Sequence, residues 1–218
     1  MLRHSQNSNL VIHEGPSYLG LPIQVDKGPF MRQYLERLHT TLGLALEEYS
    51  RVFAFRVDLR FPAGLDHCAA EYSNQVLERF FRSFKERILH NRNMAKKANK
   101  YAHDSTVRYF WVREEGKGGK PHYHVAFFLN HDAFNSLGKF EGGRDNMFNR
   151  LQGAWASALR VPVEAVRGLV EIPANPSYYL RRNDLLGGGE FFYRASYLCK
   201  VATKVYGSGQ HGYGSSRG

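Results

Sequence analysis

Apolar residues recur at helical spacing over residues 30–49. Met31, Leu35, Leu38, Leu42 and Leu46 fall on one stripe, which predicts an amphipathic helix. At residue 51 the period changes to two. Phe53, Phe55, Val57 and Leu59 then share one face and Arg56, Asp58 and Arg60 the other, predicting a strand with one apolar and one charged side. Pro62 and Gly64 end it. A second long helix is predicted from about Ala70 to about Ala98, where Val76, Phe80, Phe84 and Ile88 are spaced by four. Residues 106–114 are rich in β-formers, a glycine-rich turn occupies 116–120, and residues 122–129 read as the returning strand of an antiparallel hairpin. Residues 145–159 predict a third helix, 168–172 a short strand, 175–189 a loop and 190 to about 205 a last helix. Residues 1–28 lack lasting periodicity and read as an irregular arm, and residues 207–218 read as a disordered Gly/Ser tail, leaving 29–206 as the folded domain. The interleaving and the hairpin predict an α+β fold, with a central antiparallel sheet of about five strands flanked by helices.

Charge narrows the class of partner. The 218 residues hold 30 Lys and Arg against 20 Asp and Glu, a formal charge of +10, which points to a polyanion, nucleic acid first and an anionic membrane second. Residues 79–100 concentrate this charge, with Glu86 as their one acid. A solvated helix face is the ordinary reading of such a run, and phosphate contact the functional one. The longest apolar run, residues 125–129, is far shorter than the ~18 residues of a membrane span. Residues 1–10 lack the apolar core of a signal peptide, so a cytoplasmic location is expected. Cys68 and Cys199 form no disulfide framework or zinc-binding pair and read as reduced thiols.

The sharpest local signal is Pro121-His122-Tyr123-His124-Val125. Side chains two apart on a strand project from one face, so His122 and His124 point the same way and can share a divalent metal. Two surface or hydrogen-bonded histidines are the ordinary alternative. Glu114 and Glu115 end the neighbouring strand, and a carboxylate there would complete a two-His, one-carboxylate site. Period-two counting does not choose between them. An oxygen ligand favours Mn or Mg, with Zn left open. Asp58 is a third candidate, whose ordinary role would be a salt bridge to Arg56 or Arg60. On the last helix Tyr193, Tyr197, Lys200 and Lys204 fall at i, i+4, i+7 and i+11 and form one stripe. Such a stripe is ordinarily a snorkelling surface. Beside a metal-polarised phosphate, however, an ammonium would help a tyrosine hydroxyl attack.

The His-Tyr-His strand resembles the histidine–hydrophobe–histidine motif of the HUH endonucleases. Tyr197-Leu198-Cys199-Lys200 resembles their Tyr-x-x-Lys motif, and the two occur in the same order along the chain. More narrowly, Trp111-Val112-Arg113-Glu114, the histidine strand and Ser196-Tyr197-Leu198-Cys199-Lys200 are similar to the replication initiators of filamentous phages and the related YagK/YfjJ-type proteins. The resemblance spans about residues 50–205. It implies an HUH/Rep-like fold with His122, His124 and Glu114 as ligands of Mn or Mg, Tyr197 as nucleophile and Lys200 beside the scissile phosphate. By analogy with two-tyrosine initiators it offers Tyr193 as a second nucleophile. The implied activity is rolling-circle replication initiation, in which single-stranded DNA is nicked and rejoined through a 5′-phosphotyrosine and the freed 3′-hydroxyl primes a polymerase. Arg56, Arg60, Lys96, Lys97 and Lys204 are the expected DNA contacts. The expected partners are a single-stranded DNA origin and a host helicase and polymerase, since no phosphate-binding Gly-x-x-x-x-Gly-Lys-Ser/Thr loop occurs; no membrane is expected. The alternatives are a plasmid relaxase or single-strand transposase of the same superfamily, a non-catalytic DNA-binding prophage protein, or a small metal-dependent hydrolase.

Overall fold

The computed structural model describes residues 2–62, 73–116, 119–204, 206–207 and 209–217. Its centre is an antiparallel sheet of six strands: β1 (Arg51–Arg60), β2 (Arg108–Glu115), β3 (Pro121–Asn130), β4 (Val170–Glu171), β5 (Ser177–Arg181) and β6 (Tyr213–Ser215). They run in the order β5–β1–β3–β2–β6, with β4 also paired to β1, and every neighbouring pair is antiparallel. Among the described residues four α-helices accompany them: α1 (Arg32–Glu48), α2 (Asn74–Ala98), α3 (Met147–Leu159) and α4 (Leu185–Ser196). The fold is α+β. Among the described residues no helix is long and apolar enough to cross a membrane.

Strand period places two different layers on the two faces. Phe53, Phe55, Val57 and Leu59 of β1 and Tyr123, Val125, Phe127 and Leu129 of β3 face α2 and α3, meeting Phe80, Phe84, Ile88, Leu151 and Trp155. The opposite face divides along its length. At one end Val52, Ala54, Phe110, Val112, Ala126 and Phe128 pack under α1 and α4, against Leu35, Leu38, Phe191 and Phe192. At the other end the same rows continue as Arg56, Asp58, His124, His122 and Glu114, beyond this apolar layer. An apolar helix face cannot cover these groups without desolvating them, and a polar cleft results. The charged side of β1 is nonetheless not a solvent face, because Arg56 and Asp58 are each only 8% exposed.

Four segments differ from the sequence reading. The arm is not irregular throughout: Asn7–His13 pairs with Arg3–His4 and Phe30–Met31, and Leu10, Tyr18 and Ile23 enter the core beneath α1 and α4. Its strands are too short and too polar to show a period. The segment at 175–189 is not all loop, since it holds β5 and the start of α4. There the Asp184 carboxylate accepts from the Gly187 amide at 3.0 Å and starts the helix despite three glycines. The last helix ends at Ser196, not near 205; residues Tyr197–Cys199 tighten into a 3-10 turn and Lys200 turns extended, bridging Phe30. Finally, the tail is not disordered where β6 joins the edge of β2. Backbone pairing needs no side-chain pattern, and glycine is required there by close approach. A Cβ on Gly214 would lie 2.8 Å from Trp111 Nε1, and one on Gly212 would lie 2.5 Å from the Tyr34 hydroxyl. The expected helix start at 70–72, Gly64, Cys68 and residues 117–118 of the hairpin turn lie outside the described residues.

Phe127 sits at the centre of the larger core, its ring centroid 4.9 Å from that of Phe84 and 5.1 Å from that of Phe55. Phe127→Ala is expected to cost about 3–5 kcal/mol. Urea unfolding should show this as a lowered midpoint at an unchanged slope.

Candidate metal centre and cleft

Register decides which side chains meet. Across β1, β3 and β2, Arg60, His122 and Glu114 form one row, Asp58, His124 and Val112 the next, and Arg56, Ala126 and Phe110 the third. Glu114 is therefore the glutamate on the histidine face, and it is 2% exposed. Glu115 pairs across from Pro121, with its carboxylate 3.9 Å from Arg113.

The donors converge. Asp58 Oδ1 lies 2.6 Å from His124 Nδ1. This bond fixes the ring and leaves Nε2, 3.6 Å from Glu114 Oε2, for another partner. His122 Nε2 lies 3.9 Å from the same oxygen. Two ligands held at ~2.1 Å from one ion lie at most ~4.2 Å apart, so both separations fit a shared divalent ion. One ligand atom from each of the three residues lies within 4.8 Å of the others. Glu114, His122 and His124 thus form a buried set able to hold a metal. Asp58 is not a ligand in this set. Nor does it make the expected salt bridge: it holds His124, while Arg60 pairs instead with Glu171 at 2.7 Å.

The segment after α4 closes over this cluster. Lys204 Nζ donates to Glu114 Oε1 at 2.5 Å and Thr203 Oγ1 to Oε2 at 2.5 Å. Thr203 has φ of 69°, a left-handed conformation that is rare for a β-branched residue. Lys200 Nζ lies 3.4 Å from Glu114 Oε2 and 3.6 Å from the centroid of the Tyr197 ring. One ammonium therefore contacts both the Glu114 carboxylate and the tyrosine face. Tyr197, Lys200, Arg56, Arg60, Glu114, His122 and His124 line a single cleft of about 720 Å³.

The protonation states follow from these contacts. Burial works against a charge on Glu114, but the His124 imidazole beside it and the Lys204 ammonium hold it far below the ordinary carboxylate range. Burial also works against a charge on His124, yet Asp58 and Glu114 outweigh it and raise the pKa above 6.5. His122 is lowered, by burial first and then by His124. Burial lowers Lys204 against the pull of Glu114. It also pushes the Cys199 thiol up.

Several expected site residues lie elsewhere. Lys204 does not face solvent: its side chain is 1% exposed and neutralises Glu114. Lys96 and Lys97 belong to α2, on the opposite face of the sheet from the cleft, and Lys96 pairs with Asp104. Tyr193 is 40% exposed and does not line the cleft, because the helix ends before the stripe can continue. Conversely, Gln24, Lys27, Arg194 and Thr203 line the cleft without any motif to announce them. The Gln24 backbone amide donates to the Ser196 hydroxyl oxygen at 3.0 Å, and its side chain donates to the carbonyls of Tyr193 and Arg194. The arm thereby satisfies the end of α4.

Fold and cluster together define an α+β protein with a buried His₂Glu set in a cationic cleft. The sequence profile of the YagK/YfjJ C-terminal domain matches residues 15–216, and the chain belongs to that family. It is 29% identical over 201 residues to "Uncharacterized protein YfjJ" of Escherichia coli (strain K12), covering 88% of this chain and 97% of that protein. Over 198 residues it is 29% identical to "Uncharacterized protein YagK" of the same strain, covering 87% and 95% respectively. No solved structure matches it.

A metal ion must displace the proton that Asp58 and Glu114 favour on His124, whose pKa is raised, so affinity should rise as pH climbs through the range above 6.5, with proton release. Titration calorimetry with Mn in two buffers of different ionisation enthalpy measures this; a pH-independent affinity would contradict it. Asp58→Asn should weaken the metal about 10–100-fold by freeing the His124 ring. Cys199 should resist a thiol reagent in the folded protein and react on unfolding, as read by peptide mapping.

Proposed function

We propose that the protein is a metal-dependent, HUH-type endonuclease that nicks and rejoins single-stranded DNA through Tyr197, in the role of a rolling-circle replication initiator. The observation that carries this reading is the contact of Lys200 with both the Tyr197 ring and Glu114, on the face that presents His122 and His124. A nucleophile, a cation to stabilise its phenolate and a metal-ligand set are the parts that phosphodiester transesterification requires.

A divalent ion, Mn or Mg by its mixed nitrogen and oxygen donors, would draw charge from a non-bridging phosphate oxygen when bound. Asp58 keeps the His124 Nδ1 proton engaged, so that Nε2 presents its lone pair to the cleft. Lys204 and Thr203 fix the Glu114 carboxylate. Lys200 lies on the Tyr197 ring face, where its charge favours phenolate over phenol. Attack by the Tyr197 oxygen forms the tyrosyl–phosphorus bond and breaks the bond to the 3′-oxygen, which leaves as a hydroxyl. The new ester keeps the energy of the old one, so a 3′-hydroxyl attacking it rejoins the strand without ATP. The free hydroxyl would prime a host polymerase. Strand opening is assigned to a separate host helicase, and the reaction to the bacterial cytoplasm.

Incubation with Mn and a labelled single-stranded oligonucleotide carrying the replication origin should give a protease-sensitive, slower species on a denaturing gel. Tyr197→Phe should abolish it and Tyr193→Phe should retain it. Lys200→Ala should slow its formation by about 10²–10³-fold. An adduct that survives Tyr197→Phe would overturn the assignment, and mass spectrometry of the DNA-linked peptide would name the true nucleophile.

A further inference from the structure

Arg56 is anomalous in the cleft. It is buried to 8% exposure, yet its Nε has no hydrogen-bond partner. Among the described residues its side chain makes one hydrogen bond, a long one from Nη1 to the Arg194 carbonyl at 3.4 Å. Among the described residues no carboxylate lies within ion-pair distance of it. Asp58, two residues on along the same face, is bonded to His124. A buried guanidinium normally has a carboxylate beside it. Two further cations share its cleft. Arg194 lines it one turn before Tyr197, with Nη2 on the Ala174 carbonyl, and the half-exposed Lys27, whose ammonium also meets Asp26 at 2.8 Å, lines it from the arm. Burial depresses the Arg56 pKa and Arg194 depresses it further, against the opposing pull of Asp58.

We propose that Arg56, Arg194 and Lys27 form an anion subsite for a phosphodiester of single-stranded nucleic acid adjacent to the reacting one. The proposal rests on reading the cleft as a phosphodiester site, and it adds where the next phosphate goes. Arg56 is one cross-strand row beyond His124, on the side away from His122. Two residues along a strand is about 7 Å. That separates the subsite from the metal ligands by the order of one nucleotide, so both cannot hold the same phosphate. The planar fork of Arg56, with an unfilled N–H, matches phosphate oxygens better than a point charge would. Neither motif nor charge run marks the group: Arg56 comes from β1, Arg194 from α4 and Lys27 from the arm.

The test uses the full chain in EDTA, so that no metal takes part, with fluorescein-labelled oligothymidylate followed by anisotropy across a salt series. Arg56→Gln should weaken binding about tenfold and lower the slope of log affinity against log salt by about 0.7, the loss of one single-strand phosphate contact. Arg194→Gln, at a half-buried position, guards against misfolding of the first variant and should act the same way. Arg56→Lys should keep the slope while losing affinity. In the two glutamine variants, unchanged affinity, or lost affinity at an unchanged slope, would overturn the subsite. The covalent-adduct assay separates the two claims. Arg56-dependent binding without any adduct would leave the subsite standing and remove the nicking reaction. An adduct with Arg56-independent binding would do the reverse.

Discussion

The charge on Glu114 governs the architecture of the cleft. A carboxylate at 2% exposure cannot keep its ionised form without cations or donors within reach, because losing hydration costs several kcal/mol. Lys204, Thr203 and Lys200 supply them, and all three come from the segment that follows α4. That requirement explains why the chain leaves the helix at Ser196, tightens through a 3-10 turn and doubles back along β2. The same few residues that neutralise Glu114 carry Tyr197 to the cluster. Placement of Tyr197 and stabilisation of the Glu114 carboxylate therefore depend on the same short segment.

The division of the sheet face has an electrostatic counterpart. α1 and α4 bury its apolar half and stop where the charged rows begin. Beyond that line the cleft gathers Arg56, Arg60, Arg194, Lys27 and Lys200 around Asp58 and Glu114, both of which are already engaged. With these cations outnumbering Asp58, Glu114 and Glu115, the charged side chains lining the cleft leave a positive balance. The arm belongs to this scaffold, since Gln24 ties down the last carbonyls of α4.

What the sequence reveals here depends on whether a feature is periodic. The alternation along β1 and β3 makes His122 and His124 visible as one face, and the hairpin makes Glu114 or Glu115 a neighbour. Choosing Glu114 requires register, which no single strand encodes. Asp58 was visible as a polar residue, but its partner lies 66 residues away, across a strand pairing. Lys204 and Lys96 look alike as lysines; one is a buried counter-ion and the other an exposed helix end. The edge strand in the tail and the strands of the arm escape notice because backbone pairing leaves no mark on a glycine-rich or half-polar segment.

β6 has one further effect. A free strand edge offers unpaired N–H and C=O groups to any other chain, and β2 would present such an edge. Tyr213–Ser215 occupies it. On the opposite border, β4 and β5 are interrupted by a stretch holding Pro173 and Pro176, which lack amide donors. The border strand beyond β2 is thus only three residues long, and the opposite border is broken by prolines, so neither margin offers a long unbroken ladder.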